Sequence, residues 1–126
     1  MALATPLPGV QGARQMLGPD AGWIDTFLIV PGTSDYVTGG YVITSLACRL
    51  DRITTAWISG ANATAVATWE MEPVFAFVQI GGVSTGAGMS GYTQILLYVT
   101  VLSTGAQAAN GANLSGAIFQ LTVQGY

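Results

Sequence analysis

The chain has 126 residues, the size of one domain, of which 51% are hydrophobic and only 7% charged, against ~25% charged in an ordinary soluble domain. A net charge of −3 with three arginines, no lysine and no histidine excludes a basic nucleic-acid surface, a histidine-activated nucleophile and a His/Cys metal centre. The longest apolar runs, residues 73–80 and 95–102, fall far short of the ~20 residues of a spanning helix, and the strands are too few for a transmembrane barrel, so no membrane partner is expected.

A surface normally needs roughly 25–35% charged residues to stay unassociated. Much of this exterior is therefore expected to be covered inside a larger assembly. A lone cysteine, Cys48, rules out an internal disulfide and reads as a small buried hydrophobe. The N-terminus "MALATPLPGVQGARQML" has no basic region followed by an apolar block, so no secretory signal is expected.

In chain order, residues 1–22 hold Pro6, Pro8 and Pro19 and show no apolar periodicity. They read as an extended N-terminal arm whose apolar side chains have nothing of their own to pack on, with a disordered tail as the alternative. On that arm Leu3, Leu7, Val10 and Leu17, with Arg14, are candidates for contact with a partner. "WIDTFLIV" is the first clear strand, and Trp23 at its start is a further candidate, able to anchor the arm to a neighbour. "PGTSD" and Gly39-Gly40 break the chain around "YVIT", a short strand. In "SLACRL" Ser45 can cap a single helical turn.

"DRITTAWIS" alternates, with Ile53, Thr55 and Trp57 on one face and Arg52, Thr54, Ala56 and Ile58 on the other. Core is the expected place for Trp57. "TAVATWEME", "VFAFVQI", "YTQILLYVTVLS" and "AIFQLTVQGY" complete six or seven strands, separated by the glycine-rich loops "GGVSTGAGMSG" and "TGAQAANGANLSG". No stretch keeps helical spacing over three turns. The expected fold is all-β: a single-domain antiparallel β-sandwich or small β-barrel over residues 23–126, with the arm at 1–22.

No motif carries chemistry. Gly86, Gly88 and Gly91 match the dinucleotide fingerprint in spacing, but a strand follows where a helix must begin, and no acid follows Glu72 to hold a ribose. Glu70 and Glu72 share a strand face at a spacing suited to acid–base work, yet nothing around them grips a substrate, so a solvated face is expected. Met71 between them should point to the core. Asn62 and Asn113 match the glycosylation sequon and read as polar turn residues. Arg49, Asp51 and Arg52 cluster in a chain with three cations. Arg49 and Arg52 are candidates for an intersubunit contact, since arginine suits buried interfacial pairing, and a local ion pair is the simpler alternative. No cofactor and no catalytic residue are expected.

The stretches "WIDTFLIVPGTSDYVTGGYVIT", "DYVTGGYVITSLACRLDRI" and "NLSGAIFQLTVQGY" resemble the small capsid decoration (cement) proteins of tailed bacteriophages. Those proteins run from an opening strand through a "Y-x-T-G-G" turn and a short helical or irregular segment, and close on an "LSG-x-x-F-x-L" strand. The likeness covers residues 23–60 and 104–126. It implies a virion structural protein on the capsid exterior that bridges major capsid protein subunits, acts as a homotrimer and has no enzymatic activity. It also accounts for the scarcity of charge, because a cement protein hides much of its surface. The competing readings are a phage tail, tube or fibre component, and a lectin-like sandwich that binds glycans.

Overall fold

The computed structural model describes residues 2–4, 15–18, 22–75, 78–80, 83–85 and 92–126. In chain order these form β1 (Ala2–Ala4), β2 (Gln15–Gly18), β3 (Gly22–Val30), β4 (Tyr41–Thr44) and a 3₁₀ turn (Leu46–Cys48). There follow β5 (Ile53–Ala61), a short helix α1 (Ala63–Thr68), β6 (Trp69–Phe75), β7 (Val78–Ile80), β8 (Val83–Thr85), β9 (Gln94–Val101) and β10 (Phe119–Gly125). The fold is all-β, with every strand pair antiparallel.

Two sheets make the sandwich. The first runs β1-β3-β10-β5, with β2 also on β3, and the second runs β4-β9-β6. β7 and β8 form a separate hairpin, so residues 83–85 are a strand within what the sequence suggested was a loop. Alternation decides what each sheet buries. Phe27 and Ile29 from β3, and Phe119, Leu121 and Val123 from β10, meet Tyr41, Ile43, Met71, Ile95, Leu97 and Val99 from the second sheet. Burying each of these side chains contributes roughly 1.5–3 kcal/mol.

The two described segments of the arm are extended but do not leave their own domain. β1 lies opposite residues 28–30 and β2 opposite residues 22–24, both on the outer edge of β3. Backbone groups on that edge would otherwise stand unpaired.

Two further expectations are corrected. Residues 64–68, the start of the expected strand "TAVATWEME", fall instead in α1. Asn62 caps that helix, its Oδ1 accepting from Ala65 N at 2.9 Å and from Ile118 N at 3.0 Å, while its Nδ2 donates to Gly116 O at 2.8 Å. Six residues are too few for any apolar period to show. The Ser45 side chain does not cap the turn that follows it. Thr44 Oγ1 accepts from Ala47 N at 3.2 Å, and the Ser45 carbonyl receives Cys48 N and Leu50 N.

Trp57 is also not core. It is 39% exposed on the outer face of the first sheet. β5 carries register shifts against β10, so that Ile53 faces Gly125 while Thr55 faces Gln124, and Ile58 faces Leu121 while Gly60 faces Gln120. Thr54 and Ser59 are the extra residues. The bulge at Thr54 inverts the alternation, turning Ala56 and Ile58 toward the core and Trp57 away from it.

Candidate functional site

The structure gathers three of the sequence-derived candidates at one end of the sandwich. Trp23, second in β3, is half-buried against the core, directly between Met16 of β2 and Gly125 of β10. Residue 126 continues past β10 and is held by the segment before β5. Asp51 N and Arg52 N both donate to Tyr126 O, at 2.7 and 2.9 Å, and Tyr126 N returns a bond to Arg52 O at 3.1 Å. The approach is so close that a Cβ at Gly125 would stand 2.0 Å from Arg52 O.

Arg49 lies just before that segment. It leaves the 3₁₀ turn in a left-handed conformation, φ 60°, a region that side chains other than glycine and Asn/Asp seldom adopt. Its Nη2 donates to Asp25 Oδ2 at 2.7 Å. Asp25 points to the inner face of β3, where a lone carboxylate would be unstable without a cation and a second donor. The second donor is Thr26 N, 2.9 Å from Asp25 Oδ1. Cys48 is buried beside this pair. Burial first, and the Asp25 charge second, push its thiol up from 9.0 to about 11, against a smaller lowering by Arg49. At 0% exposure Cys48 packs within the core cluster.

Around this end stand exposed Leu46, Met16, Tyr126 and Arg49, with Arg52 half-exposed. Arginine and aromatic side chains beside apolar ones are the composition of interface anchors. Of the other candidates, Leu3 sits opposite Ile29 in β1, and Leu17 falls at the irregularity between Met16 and Gly18 in β2. Leu7, Val10 and Arg14 lie outside the described residues, as does the glycine run 86–91.

A second surface was not anticipated. On the outer face of the second sheet, Val42, Leu96 and Val74 stand in one cross-strand row, Leu96 being paired with each of the other two. Val42 is 53% and Val74 40% exposed. The sequence signal was present in "QILLYVTV": adjacent Leu96 and Leu97 make both faces of β9 apolar, where a sheet with one wet face alternates. Glu70 and Glu72 lie exposed on this same open face beside Thr100 and Tyr98, with Met71 turned inward. Among the described residues no group of three or more His, Cys, Asp or Glu side chains is placed to hold a metal ion.

Compared with known protein families, with characterised proteins and with solved structures, the chain shows no match.

Proposed function

We propose that the protein is a structural component of a virion, decorating the outside of a phage capsid, where it bridges major capsid protein subunits as a homotrimer and catalyses no reaction. The observation that carries this reading is the aliphatic row Val42–Leu96–Val74 on the solvent face of a completed sheet. Among the described residues nothing covers Val42 and Val74, and a chain with 7% charged residues has little polar surface to surround them. A neighbouring subunit that covers the row would remove it from water, and closed rotational symmetry is the usual way for copies to share such contacts. The sequence resemblance to cement proteins supplies the capsid and the number three.

The test is cosedimentation with phage heads that lack the protein. Wild type should pellet with the shells, and the double variant Val42→Lys/Val74→Lys should stay in the supernatant with its circular dichroism intact. Equal binding by both would remove the row from the reading, and failure of wild type to bind any shell would remove the reading itself.

A further inference from the structure

We propose that the outer face of the first sheet is a binding platform for a neutral glycan, centred on Trp57 and flanked by the amides of Gln120 and Gln124. This goes beyond the structural role proposed above and does not depend on it.

Trp57 is set in place by construction. A regular β5 would carry it on the same face as Ile53, inside the sandwich, where a tryptophan removes the most surface from water. Two bulges bracket it instead, and both bulge residues are tied to β10 by their hydroxyls. Thr54 Oγ1 donates to Gln124 O at 3.0 Å, and Ser59 Oγ bonds Thr122 Oγ1 at 2.8 Å while lying 3.3 Å from Gln120 O. Bulges commonly serve to re-aim a side chain. Here they hold an indole on an open face, directly across from Thr122.

The surroundings specify the ligand chemistry. Thr26, Thr122 and Ser59 satisfy one another, with Thr26 Oγ1 3.1 Å from Thr122 Oγ1, and the two threonines are buried. They form the floor. Gln120 and Gln124 point outward on either side of Thr122, and neither amide makes a hydrogen bond among the described residues. They stand four positions apart along the strand, about 14 Å, with Trp57 beside the midpoint. Gly60 keeps the platform flat at one end, and the Gln120 amide lies across it, its Oε1 3.2 Å from where a Cβ would stand.

Along β3, β10 and β5 no outward position on this face is charged. An anionic or cationic partner would therefore find no counter-charge. A pyranose ring matches what remains: its axial C–H face is apolar with slightly positive hydrogens and stacks on the electron-rich indole face. Its hydroxyls are paired donors and acceptors, which a carboxamide can meet with both of its atoms. An extended neutral chain lying along β10 would reach both glutamines.

The test is affinity electrophoresis of the whole protein in native gels containing soluble neutral polysaccharides (starch, glucomannan, xyloglucan, mixed-linkage β-glucan), with alginate and hyaluronate gels in parallel. Wild type should be retarded by at least one neutral polymer and by neither anionic one. Trp57→Ala should weaken that binding about tenfold or more, Gln120→Ala and Gln124→Ala each about three- to tenfold, and Trp57→Tyr should keep most of it. If Trp57→Ala does not fold, the two glutamine variants decide the matter. Mobility unaffected by every neutral polymer, or retardation that survives all these substitutions, would overturn the proposal. So would a fall in oligomeric mass on Trp57→Ala without glycan binding by wild type, which would make the face a protein contact. None of these readouts needs a capsid.

Discussion

Arg49 holds Asp25 from outside the sandwich: a guanidinium 56% exposed donates at 2.7 Å to a carboxylate 2% exposed on the inward side of β3. The bond joins the irregular segment after β4 to the first sheet, and it fixes the left-handed residue that ends the 3₁₀ turn. Removing the cation strands a buried charge, which costs far more than losing an exposed pair.

Arg49→Ala should therefore destabilise the protein by about 2–3 kcal/mol, below the full value for a buried pair because the guanidinium is half in water. Arg49→Gly loses the same bond but relieves the left-handed backbone, so it should be about 1 kcal/mol less damaging than Arg49→Ala. Urea denaturation of the two variants measures this. Equal or reversed midpoints would mean that the backbone at residue 49 relaxes freely.

Glycine substitutions should separate by crowding. Gly125→Ala places a Cβ 2.0 Å from Arg52 O, and Gly22→Ala places one 2.0 Å from Gly125 O. Both should cost more than about 3 kcal/mol or prevent folding. Gly105, at φ +70°, faces open space, and Gly105→Ala should cost only about 1 kcal/mol. Thermal melts of the three variants check the ranking.

Stability should fall in alkali. Desolvation, then the neighbouring Tyr36, pushes the Tyr41 hydroxyl up from 10.0 to about 12, and Cys48 rises from 9.0 to about 11. Each group holds its proton in the folded protein at a pH where the unfolded chain has released it. Stability from each is thus complete below the unfolded value and is lost as pH rises through the folded one. The melting temperature should decline from about pH 9 to 12. Cys48→Ala should flatten the pH 9–11 part and Tyr41→Phe the pH 10–12 part. Parallel curves for all three proteins would count against this assignment. Cys48 should also resist thiol reagents at pH 8 until the protein unfolds.

Asn62 and Asn113 both sit in sequons, yet their structural weight differs. Asn62→Ala removes the cap bond from Ala65 N and the two bonds that join the start of α1 to Gly116 and Ile118, and should cost about 2–3 kcal/mol. Asn113 makes one turn bond, its Oδ1 accepting from Ser115 N at 3.0 Å, so Asn113→Ala should cost about 0.5–1 kcal/mol. Asn62→Asp keeps both acceptor bonds and should fall between the two. Chemical denaturation reads all three.

The sequence made most of the sandwich legible. "YVIT" is a strand with its read bounds, and the long strands β3, β9 and β10 follow from β-branched and aromatic alternation. Trp57 was misplaced because a bulge is a property of two strands together: nothing within "DRITTAWIS" tells that β10 skips Thr54 and Ser59. The same holds for the end surface. Trp23, Arg49 and Arg52 were each singled out by residue type, but their meeting depends on residue 126 reaching back to residues 51 and 52. The row on the second sheet is illegible in the sequence for a different reason, since Val42 and Val74 become neighbours only through Leu96 between them.

β10 occupies the middle of the first sheet, between β3 and β5, and is the last strand in the order of the chain. On the ribosome, β3 and β5 therefore emerge with the place between them empty, and neither can close its ladder until residues 119–125 follow. For β3 those pairings run from Phe119 opposite Ile29 to Gly125 opposite Trp23, 90 to 102 positions apart, a separation that slows the search for the native topology. The nascent domain must wait with unpaired backbone groups and apolar side chains open along that seam until β10 arrives. Its vulnerability to aggregation is thus concentrated in synthesis, before the strand that completes it has arrived.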